Sequence, residues 1–161
     1  MSSKAYDSLM MECDRFIDTK LETGGVFLGI IYNDNYYIIE NIPPGENSRH
    51  GHNSFEYDAY YVSKVSTNIA NKYISKLDVL GLWHTHWDGL PIFSASDMSL
   101  NNKYTEIYER NIISAIITGD RNIELYVYEV EYDRNISLLN LNIGNEYIPK
   151  QYMKTCNPEN W

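Results

Sequence analysis

The sequence predicts a mixed α/β fold in which a largely antiparallel sheet is flanked by helices. Two observations predict it. Segments of helical period alternate with β-branched and aromatic runs, in the order helix, two strands, helix, strand, helix, three strands. Two pairs of those strands are each joined by a short turn, at Asn33-Asp34-Asn35 and at Gly119-Asp120, as antiparallel neighbours are.

Residues 5–18 carry Tyr6, Leu9, Met10, Cys13, Phe16 and Ile17 at helical spacing, one apolar stripe on an amphipathic helix. Cys13 lies on that stripe and reads as a packed apolar residue, not a nucleophile. Residues 19–25 are a turn leading into a strand, and Gly24-Gly25 permits close backbone approach. Residues 26–32 and 36–42 form the first hairpin. Residues 43–55, rich in Pro, Gly, Asn and Ser, read as a loop. Residues 57–75 predict a helix with Val62, Val65, Ile69 and Tyr73 as its buried stripe. Residues 78–85 predict a buried strand. Residues 94–110 predict a helix with Leu100, Tyr104, Ile107 and Tyr108 inward. Strands follow at 111–118, 123–130 and 136–143, the last by apolar–polar alternation, and 151–161 reads as a tail or edge segment.

A chain of 161 residues suits one domain with one core, here 1–161. No apolar run is long enough to span a bilayer, so no membrane partner is expected. The N-terminus is no signal peptide, because acidic residues interrupt its apolar positions. The cysteines, Cys13 and Cys156, give neither a disulfide framework nor a Cys-x-x-Cys knuckle, and the cytoplasm is the expected compartment. A net charge of −9 repels a phosphate backbone, so no nucleic-acid partner is expected. The 15 tyrosines reflect either compositional bias, since asparagine and isoleucine are also abundant, or a contact surface.

The chemistry concentrates in Trp83-His84-Thr85-His86 and the residues up to Asp97. On a strand, residues i and i+2 share a face, so His84 and His86 project side by side. Ser94-Ala95-Ser96-Asp97 reads as a helix start that returns Asp97 to the same mouth. Two imidazoles and a carboxylate leave the fourth position of a tetrahedral zinc open, as in catalytic sites. Each part has an ordinary reading: Ser-x-x-Asp is a common capping box, and a lone His-x-His is a pair of strand histidines. Together, at this separation, they point to a metal. A second pair, His50-Gly51-His52, has no strand before it and Ser63 where a carboxylate would be needed. It reads as a polar loop; alternatively the loop borders a cleft, with Arg49 or His50 touching substrate.

The string from His84 to Asp97 resembles the metal motif of the JAB/MPN (JAMM) metalloproteases: histidine, small hydroxyl residue, histidine, ten residues, aspartate, with serine three before the aspartate. Leu21-Glu22-Thr23-Gly24-Gly25 resembles the family's upstream glutamate at a strand start. The match is closest to short prokaryotic JAB domains, including deconjugating peptidases of bacterial ubiquitin-like and antiphage systems. Many members have proline after the second histidine, where this chain has Trp87; the difference bears on loop shape and substrate fit, not on the ligands.

The resemblance implies a curved mixed sheet between helices, a JAB/MPN-like and cytidine-deaminase-like architecture. It implies one zinc (Zn2+) per chain on His84, His86 and Asp97, Glu22 as general base and Ser94 as oxyanion donor. Family members cut peptide or isopeptide bonds after the glycine-ended tail of ubiquitin-like proteins. The expected partner is therefore a ubiquitin-like protein or its conjugates, with residues 43–55 and 87–93 as groove walls. His84 and His86 should each bond outward through the second ring nitrogen. Thr85 should face away from the metal. An inactive MPN-type scaffold and a peptidase acting on a sulfur-carrier protein are the alternatives. A zincin would need His-Glu-x-x-His, and a nucleobase deaminase would need His-x-Glu with Cys-x-x-Cys; both are absent.

Overall fold

In the computed structural model, residues 1–129 and 136–156 are described. The element order is α1 (Ser3–Phe16), β1 (Gly24–Tyr32), β2 (Asn35–Ile42), β3 (Arg49–His50), β4 (Phe55–Glu56), α2 (Ala59–Ala70), β5 (Asp78–His86), α3 (Ala95–Tyr108), β6 (Ile112–Thr118), β7 (Ile123–Tyr128) and β8 (Ile136–Leu138). Six strands form one sheet in the order β2-β1-β5-β6-β7-β8, and β3-β4 is a separate two-stranded ribbon. Only β5 and β6 run parallel; every other pairing is antiparallel. A parallel pair needs a crossover connection, and α3 supplies it.

The predicted mixed α/β class with a mostly antiparallel sheet is the observed one. The hairpin turn is tighter than expected. Asn33 and Asp34 alone make it, with φ of 48° and 58°, and Asn35 opens β2. Both turn residues thus have the positive φ that asparagine and aspartate tolerate best after glycine. The loop at 43–55 contains one short strand, Arg49–His50, which pairs with Phe55–Glu56 at its end. α2 stops at Ala70, short of the predicted 75, and Tyr73 is buried from the turn beyond it. The last strand covers only Ile136–Leu138 of the predicted 136–143.

Residues 150–153 form a 3-10 turn, and the segment after it docks on the end of α2. Ile74 N–H donates to Lys154 O, and Cys156 N–H donates to Lys72 O. Residue 130 of the expected strand 123–130 and residues 157–161 of the expected tail lie outside the described residues.

Apolar side chains fill both faces of the sheet. On one face Ala5, Leu9 and Cys13 of α1 pack against Phe27, Ile38, Leu80, Trp83, Ile113 and Ile117. On the other, Val62 of α2 joins Val26, Leu28, Ile39, Ile42 and Leu82, with Leu100 and Tyr104 of α3 beside them. α1 is capped by Ser2, whose Oγ accepts the Ala5 N–H at 3.0 Å. Burial, and then the carboxylates of Glu12 and Asp14, push the Cys13 thiol up to about 12. It is therefore a protonated, inert thiol at neutral pH, as its place on the stripe predicts.

β5 carries the irregularity that matters most for the site. Gly81 pairs with Phe27 and Val79 with Leu28, so Leu80 is an extra residue on β5. Such a bulge shifts the alternation of faces by one. Leu80 accordingly joins the α1 side of the core while Leu82 joins the other. Trp83 and Thr85 then point towards α1, and His84 and His86 point with Leu82 towards the face that α3 covers.

Candidate metal centre

His84 and His86 end β5, and Asp97 sits in the first turn of α3. His84 Nε2 lies 2.9 Å from His86 Nε2. Asp97 Oδ1 is 3.4 Å from His84 Nε2, and Asp97 Oδ2 is 3.7 Å from His86 Nε2. Ligand atoms about 2.0–2.1 Å from a tetrahedral zinc stand roughly 3.3 Å apart. The observed separations bracket that spacing, so this donor set fits one metal ion.

The tautomer of His86 fits as well. Its Nδ1 is 2.9 Å from Leu90 O, which can only accept, so Nδ1 carries the hydrogen and Nε2 presents a lone pair to the centre. The expected outward bond is thus present at His86; no comparable bond is made by His84 Nδ1 among the described residues. Thr85 faces away as expected and is fully buried. Its Oγ1 accepts the Thr23 N–H at 2.9 Å, and its N–H donates to Thr23 O at 2.8 Å.

Those Thr23–Thr85 bonds carry the β1–β5 pairing one residue past Gly24–His84. Glu22, the next residue back, lines the same cleft as His86. Close approach of β1 to β5 on one side and to β2 on the other requires glycine here. A Cβ on Gly24 would lie 2.3 Å from Trp83 O, and one on Gly25 would lie 2.4 Å from Ile42 O.

Ser94 is the N-cap of α3. Its Oγ accepts the Asp97 N–H at 3.2 Å, and its N–H donates to Asp97 Oδ2 at 2.7 Å. The capping box and the metal geometry are therefore one construction, since the carboxylate that faces the imidazoles is oriented by the helix cap. Burial works against the Asp97 charge, but bonding and attraction to His84, together with Ser94, hold its carboxyl below the usual carboxylate range. Glu22 moves the other way. Burial raises it, the nearby charge of His86 opposes the rise, and the carboxylates of Asp97 and Asp88 reinforce it.

Glu22, His84, His86, Ser94 and Asp97 all line one cleft of about 530 Å³. All five residues singled out in the sequence thus converge on one place. Of the expected walls, Asn53–Phe55 and Asp88, Leu90 and Ile92 do line it, and Glu56 and Tyr57 extend the first wall. Leu90 and Ile92 are more than half exposed, leaving apolar side chains at the mouth.

One residue near the site, Glu12, was given no role in the sequence, and two others, Asp88 and Trp87, were expected only as part of a groove wall. Asp88 lines the cleft beside Glu22. Glu12 is 4% exposed; it accepts from Thr23 Oγ1 at 2.8 Å and from Arg15 Nη1 at 2.8 Å, tying α1 to the residue after Glu22. Trp87 donates through Nε1 to Leu21 O at 2.7 Å, the residue before Glu22, a bond that the sequence did not suggest.

A small mixed sheet that brings two strand histidines and a helix-cap aspartate into a cleft defines a domain able to hold a metal beside a carboxylate. The family described as prokaryotic homologs of the JAB domain matches residues 6–132, and the chain belongs to that family. The solution structure of protein DSY2949 from Desulfitobacterium hafniense is similar, with a TM-score of 0.61 over 88% of this chain and 91% of that one. The two share 13% identity, so the likeness is one of fold. No curated protein matches the sequence.

Proposed function

We propose that this chain is a zinc-dependent peptidase or isopeptidase that hydrolyses the bond after the C-terminal tail of a ubiquitin-like protein. The observation that supports this most is the convergence of three metal-ligand atoms within 4.8 Å of one another, in a cleft shared with Glu22 and Ser94. His84 and His86 through Nε2, and Asp97 through its carboxylate, would hold the ion. It would supply Lewis acidity, acidifying water and polarising a carbonyl at that point.

The remaining work falls to the chain's own residues. Glu22, held above the ordinary carboxylate range, takes a proton from the attacking water as the water oxygen bonds to the amide carbon. It then returns that proton to the nitrogen as the carbon–nitrogen bond breaks. Ser94 Oγ accepts from Asp97 N–H at 3.2 Å and shares a hydrogen bond with Ser96 Oγ at 2.8 Å; with Ser96 as the donor of that bond, the Ser94 hydrogen donates to the developing oxyanion. Leu90 and Ile92 at the mouth offer apolar contact to an extended tail. Deconjugation and precursor processing, in an antiphage system or elsewhere, share this chemistry.

A cytoplasmic setting belongs to the same proposal. Cys13 and Cys156 are both free thiols, and no helix among the described residues is long and apolar enough to cross a membrane.

The test is mass spectrometry of ubiquitin-like proteins carrying a C-terminal extension, incubated with the zinc-loaded protein, with and without chelator. Chelator-sensitive cleavage after the tail, lost in Glu22→Gln, is the expected result. Zinc bound with no cleavage of any such fusion would overturn the substrate class. Neither zinc nor cleavage would turn the assignment to a non-catalytic scaffold.

A further inference from the structure

We propose that His50 is a positioning residue for Glu22, acting through the main chain and never touching the cleft; this rests on the reading of Glu22 as the base. Residues 20–22 lie beyond the Thr23–Thr85 bonds that end the β1–β5 pairing, and their three consecutive carbonyls each meet a ring N–H. Lys20 O faces His52 Nδ1 at 3.2 Å, Leu21 O accepts from Trp87 Nε1 at 2.7 Å, and Glu22 O faces His50 Nδ1 at 2.9 Å. A carbonyl only accepts, so Nδ1 of His50 carries a hydrogen. Glu22 is also gripped from its other side, because its N–H donates to Gly51 O at 2.7 Å. Both polar groups of the Glu22 backbone are thus bonded to the pair His50-Gly51.

The ring that does this is itself fixed. It stacks on Phe16 at the end of α1, with centroids 4.2 Å apart and planes at 21°, and it lies 5.5 Å from the Phe55 ring in the cleft wall. Its Nε2 is 2.8 Å from Ser48 Oγ, and that hydroxyl is also bonded to Gly45 O at 2.5 Å. A glutamate has three rotatable side-chain bonds. Its carboxylate is held to a reacting water only if its own Cα frame is rigid, and misplacement by about 1 Å costs on the order of 100-fold in rate. The second His-x-His of this chain therefore serves the first one. His50-Gly51-His52 fixes the base on one side, and Trp87 fixes the preceding carbonyl on the other.

The test compares His50→Ala, His50→Asn and His50→Gln in the full-length zinc-loaded protein. An asparagine amide N–H falls near the place of Nδ1–H, whereas that of glutamine is displaced outward. The readouts are zinc content, steady-state cleavage of a quenched fluorescent peptide with Gly-Gly before the scissile amide, and hydrogen exchange of the Glu22 amide. His50→Ala should keep its zinc and its KM, lose about 10- to 100-fold in kcat, and exchange the Glu22 amide about tenfold faster. His50→Asn should recover most of both; His50→Gln should not.

Wild-type protection of the Glu22 amide in His50→Ala would overturn the proposal. So would equal losses in all three variants that merely follow their melting temperatures. If the wild-type protein cleaves nothing, the peptidase reading fails on its own, and the exchange rates still decide whether His50 holds Glu22.

Discussion

At the scale of single residues, Glu22 and Asp97 are two carboxylates pushed in opposite directions within one cleft. The carboxyl of Asp97 is held below the usual carboxylate range, whereas burial raises that of Glu22, so of the two Glu22 takes up a proton more readily. Replacing Glu22 by glutamine should lower kcat/KM by about 10²–10⁴, with zinc content unchanged, because Glu22 holds a proton and not the ion. A stability consequence follows from the same burial. The folded-state pKa of Glu22 lies above its unfolded value, so its contribution to stability is fully present below the unfolded pKa and is lost as pH rises through the folded one. In chelator-treated protein, Glu22→Gln should therefore melt higher than wild type at pH 7. The difference should vanish below about pH 4, near the unperturbed value. A melting series across pH 3.5–8 checks this, and equal melting temperatures at pH 7 would contradict it. Catalysis by the wild type should fall on the acid side as Glu22 gains its proton.

At the scale of elements, the candidate metal ligands stand on two structures whose local rules are simple. α3 begins with a reciprocal cap, and β5 ends beside the glycines of β1. Removing the cap with Ser94→Ala should cost about 0.5–2 kcal/mol, measured by denaturant unfolding in chelator, apart from any loss of turnover. Gly24→Ala places a methyl 2.3 Å from Trp83 O. Forcing the strands apart there should cost about 1–3 kcal/mol and weaken zinc binding, because Gly24 pairs with His84.

These features were legible because caps, strand alternation and glycine pairs are written in adjacent residues. The bulge at Leu80 was not: the run Val79-Leu80-Gly81-Leu82-Trp83 is apolar throughout and hides a change of phase. α3 misled in a different way. Ile107, expected inward, is 59% exposed, while the polar Asn101 and Thr105 are buried. Packing against β6 and not hydrophobicity alone chose that face.

At the scale of the whole molecule, the sheet order puts β5 at the centre, between β1 with its upstream glutamate and β6, reached through the helix that starts beside Asp97. That topology is why one cleft collects residues 22, 84, 86, 94 and 97. The candidate ligand set was readable from its spacing, since its three members fall within fourteen positions. The bonds that hold Glu22 were not. His50 and Glu22 are 28 residues apart and meet only once β1 is paired and the loop folds back.

Binding a metal to the folded state alone should also stabilise the entire domain. Free zinc at 1,000 times Kd contributes about 4 kcal/mol, which for a domain of this size raises Tm by roughly 8–16 °C over the chelated protein. The most direct test of the account is the zinc content of the protein purified without chelator, beside His84→Ala and Asp97→Ala. One zinc per chain in the wild type, lost in both variants, is the predicted result. No zinc in the wild type, or zinc retained when either ligand is removed, would contradict it.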